Sequence, residues 1–157
     1  MNSRSGALPP PVASLAPGRT GAWRFTVAPL DVSVPRIRHV VRDLVRRQRA
    51  PLSGDRLQGA LLILSELVTN AVRHAALLTS EIGVEVVLDA HGLRLSVEDG
   101  HPYRPRALEA NPERQHTSGR GLLLVKAIAL ETGGDCGVEP TAAGGKVVWA
   151  ALPFDAG

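Results

Sequence analysis

The sequence predicts an α+β fold, a two-layer sandwich with helices on one face of a mixed, largely antiparallel sheet. Three observations carry that prediction. Two segments, 34–45 and 57–75, repeat apolar residues at helical spacing. Two runs of alternating polarity, 82–86 and 93–97, flank a turn bounded by Asp89 and Gly92, which is the pattern of a hairpin. The elements follow in the order strand, helix, helix, hairpin, long loop, helix, strands, and that order puts the helices on one side of the sheet.

Each element has a local reason. Residues 1–20 are rich in Pro, Ser, Gly and Ala without apolar periodicity, so they are expected to be a disordered tail, with one domain over 21–153 and a short tail at 154–157. Trp23, Phe25 and Val27 alternate with Arg24 and Thr26 as in a half-buried strand, and Pro29 ends it. Ser33 is the expected cap of the first helix, with Pro35 in its first turn, and Val34, Ile37, Val40, Val41, Leu44 and Val45 form its inner face. Arg38, Arg42, Arg46 and Arg49 make a stripe on the other side. Its ordinary reading is a solvated face, and a partner-binding face is the alternative.

After the break at Pro51–Gly54, a long second helix carries Leu57, Ala60, Leu61, Leu64, Val68, Ala71, Val72 and Ala75 on one stripe. Ile82, Val84 and Val86, then Leu93, Leu95 and Val97, supply the hairpin. The stretch 100–118 is polar, holds three prolines and is expected to be a long functional loop. A third helix is expected from about Gly121 to Thr132, and a closing strand over Val147–Leu152 follows the turn at Gly144 and Gly145.

Composition narrows the function classes. A length of 157 residues suits one domain, and 44% apolar with 21% charged residues is ordinary for a globular protein. Cys136 is the single cysteine, so neither an internal disulfide nor a cysteine-based zinc site is available. No apolar run approaches the roughly 20 residues of a bilayer span, and the N-terminus lacks the apolar core of an export signal, so a cytoplasmic protein away from membranes is expected. A net charge of +3, from 16 Arg and two Lys against 15 acids, is too mild to argue for direct nucleic-acid binding. His74, His91, His101 and His116 show no H-x-x-x-H spacing of a helical zinc site.

The chemistry concentrates in three places. Glu66, Asn70 and His74 stand at i, i+4 and i+8 of the second helix and share a face. Glu66 interrupts an apolar run, where a carboxylate is costly unless it is paired or borders a solvated cavity. Mg²⁺ prefers oxygen ligands and retains waters, so the Asn70 carbonyl with ligand phosphates is a sufficient set of partners. Ser118-Gly119-Arg120-Gly121 opens the third helix, where exposed amides and the helix dipole favour a phosphate. Asp99 ends a strand before Gly100, and a carboxylate there can accept from an exocyclic amine and favour adenine over guanine. Each also has a plain structural reading: an exposed helix face, a glycine turn and an Asp-Gly turn.

Together, Glu66-x-x-x-Asn70, Asp99, Gly119-Arg120-Gly121-Leu122-Leu123 and Gly145-Lys146-Val147-Val148-Trp149 resemble the motifs of the GHKL (histidine kinase-like) ATPase superfamily. Within it, residues 21–153 look most like the single-domain anti-sigma-factor serine kinases of bacteria and their actinobacterial relatives. The resemblance implies a Bergerat-type sandwich that binds ATP and Mg²⁺. It implies Glu66 as catalytic base and Asn70 as Mg²⁺ ligand. It implies ATP contacts from Asn70, Arg73, His74, Asp99, Gly100, Gly119, Arg120, Gly121, Leu122 and Leu123, with 100–118 as a lid. It further implies a serine/threonine kinase that controls transcription through a sigma factor or an anti-sigma antagonist protein, and it allows a homodimer. The alternative function is an ATP-binding module that sequesters a partner without kinase activity. The chain departs from the pattern at His101 and Tyr103, where relatives carry glycines, and at Val147, where relatives carry threonine.

Overall fold

The computed structural model describes residues 21–75, 81–100 and 120–155, without the side chains of His74, Ala75 and Arg120. The expected N-terminal tail, residues 156–157 and most of the 100–118 loop lie outside the described residues, while Phe154 and Asp155 of the expected C-terminal tail are tied to the domain. Eight elements follow in order: β1 (Gly21–Val27), α1 (Ser33–Arg47), α2 (Gly54–Ala75), β2 (Ile82–Leu88), β3 (Gly92–Asp99), α3 (Arg120–Glu131), β4 (Asp135–Pro140) and β5 (Lys146–Pro153).

The strands form one five-stranded sheet in the order β1-β2-β3-β5-β4. Every pairing among the described residues is antiparallel, so the sheet is simpler than the mixed one expected. Register explains the core. Trp23, Val86, Leu95 and Ala150 form one cross-strand row, and Phe25, Val84, Val97 and Val148 form the next. All eight are buried. Side chains alternate faces along a strand, so these rows line the helix side while Arg24, Glu98 and Arg94 point to the other face. On that helix-free face Arg24 pairs with Glu98 at 2.8 Å, and the Arg94 guanidinium lies 4.4 Å from the centre of the Trp149 ring.

Helix α2 is the central element of the second layer. Leu61, Ile63, Leu64, Leu67 and Val68 are essentially inaccessible, because the sheet covers one side of the helix while α1 and α3 pack against it. Ser53 caps it, its Oγ accepting from the Arg56 N–H at 3.1 Å, and Asp55 lies in the first turn where a negative charge meets the positive end of the dipole. The chain end secures the same place. Asp155 accepts from the Ser53 N–H, which holds its carboxyl below the usual range with Arg56 assisting, and Arg56 also donates to the Pro153 carbonyl at 2.7 Å.

Two local expectations change. Ser33 is the first residue of α1 rather than its cap: its hydroxyl donates back to the Ala28 carbonyl at 2.7 Å, and Val32 at the cap position makes no side-chain bond. The tight turn after Pro29 places Ser33 inside the first turn, with its N–H donating to the Leu30 carbonyl at 2.9 Å and its hydroxyl turned back toward β1. The strand β4 was not assigned from sequence, because Gly137 and Pro140 and the lack of alternating burial are what an edge strand allows and a pattern search misses.

Leu64 is fully buried and Leu62, two residues away on the same helix, is 37% exposed. Leu64→Ala is expected to cost about 2–5 kcal/mol by leaving a cavity, and Leu62→Ala well under half of that. Urea unfolding of the two variants checks it, and equal losses would contradict the assigned faces.

Candidate functional site

The site is built from the flank of α2 that α3 covers. Gly59, Ile63, Glu66 and Asn70 are spaced four, three and four residues apart and lie along this flank. A Cβ placed on Gly59 would touch Ile128 at 3.4 Å, and a Cβ placed on Gly121 would overlap Glu66 Oε1. Seven residues separate the members of each pair on both helices, so α3 runs antiparallel to α2 with its N-terminus over Glu66. Asn70 therefore lies one helical turn, about 5–6 Å, beyond the start of α3. The space before a helix N-terminus favours anions, since N–H groups point outward there and the dipole is positive.

Glu66 is half-buried and Asn70 is 7% exposed. Among the described residues neither side chain has a hydrogen-bond or ion-pair partner. Both polar groups therefore keep their hydrogen-bonding capacity available to a ligand beside the start of α3. That is the fit expected of a hard cation bridged to phosphate: Asn70 offers a carbonyl oxygen, and phosphate oxygens and waters complete such a shell. No cluster of three or more His, Cys, Asp or Glu occurs among the described residues, so a metal held by protein ligands alone is not what these residues build.

The glycine expectation acquires a different cause. Positive backbone angles among the described glycines occur at Gly133 and Gly144, and Gly121 is an ordinary helical residue. What Gly121 supplies is room for the Glu66 carboxylate against the first turn of α3. Gly119 lies outside the described residues, as do His101 and Tyr103. Of the remaining expected contacts, Arg73 is exposed at the last described turn of α2 and Gly100 is exposed after β3. Leu123 is half-buried, and the Leu122 side chain belongs to the hydrophobic core.

At the end of the sheet, β3 and β5 bring Asp99 directly opposite Lys146 on the helix-facing side. Lys146 Nζ donates to both carboxylate oxygens, at 2.9 and 2.7 Å, and the two side chains are 2% and 1% exposed. Gly145 makes this approach possible, since a Cβ there would overlap the Asp99 carbonyl oxygen. Lys146 is the functional candidate that sequence reasoning missed. Its signal was the lysine at the head of an alternating strand, but only the register with β3, 47 residues away, reveals its partner. A shallow cleft at the end of the sheet is lined by Arg24, Thr26, Glu98, Asp99, Gly100 and Gly145.

This arrangement, three helices on one face of an open antiparallel sheet with a polar α2 face at the start of α3, defines an α+β ATPase-type fold. The family model described as "Histidine kinase-like ATPase domain" matches residues 27–151, and the chain belongs to that family. Among solved structures, the mycobacterial sensor histidine kinase MprB is similar at 21% identity, with a TM-score of 0.53 over 82% of this chain and 97% of that one. The histidine kinase domain of the blue-light activated kinase from Erythrobacter litoralis EL346 aligns at 19% identity and a TM-score of 0.48, over 79% of this chain and 60% of that one. No curated protein matches the chain. No helix among the described residues is long and apolar enough to cross a membrane.

The contact between Gly121 and Glu66 makes a testable coupling. Gly121→Ala should cost about 1–3 kcal/mol by overpacking, and adding Glu66→Ala should recover at least half of it. Chemical denaturation of the two single variants and the double variant checks the cycle; strictly additive losses would contradict the contact.

Proposed function

We propose that the chain is an ATP- and Mg²⁺-binding regulatory protein of the anti-sigma-factor type, a serine/threonine kinase that phosphorylates an antagonist protein and controls transcription through partner binding. The observation that carries this reading is the pair Glu66 and Asn70, unpartnered among the described residues, at the N-terminal end of α3. Asn70 would hold the metal that accompanies the nucleotide phosphates. The α3 amides, beginning at Arg120 and Gly121, would receive phosphate oxygens, and Arg73 at the end of α2 would add positive charge. The metal, when bound with ATP, neutralises phosphate charge and so lowers the cost of moving the terminal phosphoryl group. Glu66 would take the proton of an incoming serine hydroxyl as its oxygen bonds to phosphorus and the bond to the ADP oxygen breaks. A carboxylate suits this role because it can accept the proton and, among the described residues, has no ion-pair partner to displace.

The domain over 21–153, the Gly119 to Leu123 phosphate loop, the lid and a cytoplasmic setting with a sigma factor or antagonist as partner belong to the same proposal. The arginines of α1 remain candidates for the partner face: Arg38 and Arg42 are half-buried, Arg46 and Arg49 exposed, and none is in an ion pair among the described residues. The second reading is an ATP-binding module that sequesters its partner without phosphorylating it, and phosphate transfer is what separates the two.

Asn70→Ala is expected to abolish the Mg²⁺-dependent part of ATP binding measured by calorimetry; affinity that is equal with and without Mg²⁺ in the wild type would remove Asn70 as ligand. Glu66→Gln is expected to retain Mg-ATP binding and to lower phosphate transfer to a serine-bearing antagonist by about 10²-fold or more, the range of a general base. Radiolabelled ATP measures this transfer. Full transfer by the Gln variant would remove Glu66 as base, and wild-type binding without any transfer would favour the sequestering module.

A further inference from the structure

We infer that Lys146 is the specificity-determining residue of the base subsite and that it relaxes selection between 6-amino and 6-oxo purine nucleotides; this rests on the nucleotide site proposed above. A lone carboxylate at the end of β3 would select adenine by accepting from its exocyclic amine. Here the carboxylate is not alone. Lys146 Nζ donates to both Asp99 oxygens, so the subsite offers a neutral donor–acceptor pair where a lone carboxylate would offer a full negative charge.

The pair is fixed by three features. Asp99 and Lys146 are directly opposed across β3 and β5, where side chains on one face of an antiparallel pair meet. Both side chains are almost fully buried, and an ammonium in such a place needs its carboxylate. Gly145 packs against the Asp99 carbonyl and the Gly100 Cα, so the start of β5 is held to the end of β3 by backbone as well as by charge.

The consequence for a base follows from donor and acceptor inventories. Adenine presents an amine donor at position 6, which gains less from a carboxylate already bonded at both oxygens. Hypoxanthine presents a carbonyl acceptor at the same position, which a lone carboxylate repels and an ammonium attracts. Asp99 screened by Lys146 thus loses its preference for the amine, and the positive charge beside it offsets the carboxylate's repulsion of the oxo group. A neutral residue at 146 leaves a carboxylate that discriminates strongly, because a buried acceptor left unpaired by the wrong base is penalised.

The test compares calorimetric binding of Mg-ATP and Mg-ITP to wild type and Lys146→Thr, with Lys146→Gln as a second variant that retains a neutral donor beside Asp99. The wild type is expected to bind the two nucleotides within about threefold of each other, and Lys146→Thr to prefer ATP by about tenfold or more, the worth of one hydrogen bond. Lys146→Gln should shift in the same direction by a smaller factor. A pair with a structural role only would lower the melting temperature of the variants and leave the ATP-to-ITP ratio unchanged, and that unchanged ratio would overturn the inference. A wild type that already prefers ATP tenfold overturns it without any variant. Folded wild type and folded variants that bind neither nucleotide would instead overturn the nucleotide site itself.

Discussion

Helix α2 has to be buried on nearly every side, and the rest of the structure follows from how that is done. Its residues 60, 61, 63, 64, 67, 68 and 71 are at most 1% exposed, so the sheet alone cannot cover it. Helix α1 takes one flank and α3 the other, and a helix with apolar residues so far round its circumference is a core helix. The polar residues Glu66 and Asn70 on the α3 flank are therefore the exception that needs a cause. A half-buried carboxylate and a carboxamide without partners among the described residues, set beside a helix N-terminus, are the groups that the proposed metal–phosphate ligand would use.

The second constraint is close approach. Gly121 lets the first turn of α3 close over Glu66, and Gly145 lets β5 close over the end of β3. Gly121 brings backbone against Glu66 and Gly145 brings it against Asp99, the two places from which the proposed nucleotide site is built. Neither needs a positive backbone angle; each needs the absence of a Cβ. The same economy of space sets Lys146 against Asp99 at the far end, so the two ends of the site differ in character. One end has acidic and amide groups without partners among the described residues, and the other has a completed ion pair.

Much of the fold was legible because its periods are clean. The α2 stripe and the alternation in 82–86 and 93–97 appear at those residues as a helix and a hairpin. Of the proposed site, the sequence shows residue types, Glu66 and Asn70 on one helix face and Gly121 in the first turn of α3, and it does not show the packing between them. That Gly121 answers to Glu66 depends on the antiparallel packing of α2 on α3. That Asp99 answers to Lys146 depends on the register between strands 47 residues apart. Sequence spacing carries neither relation. Ser33 is not the cap for a similar reason, since the turn after Pro29 draws its hydroxyl back to the Ala28 carbonyl. Strand β4 escaped notice because an edge strand with Gly137 and Pro140 has little periodicity to show.

The measurement that tests this account most directly is an amide NMR titration of the protein with Mg-ATP. The account predicts that the largest shifts fall on Asn70 in α2, Asp99 and Gly100 at the end of β3, Gly121 in α3 and Gly145 just before β5. Shifts concentrated on the α1 arginines or on the helix-free face around Arg24 and Arg94, with those five amides unmoved, would contradict it.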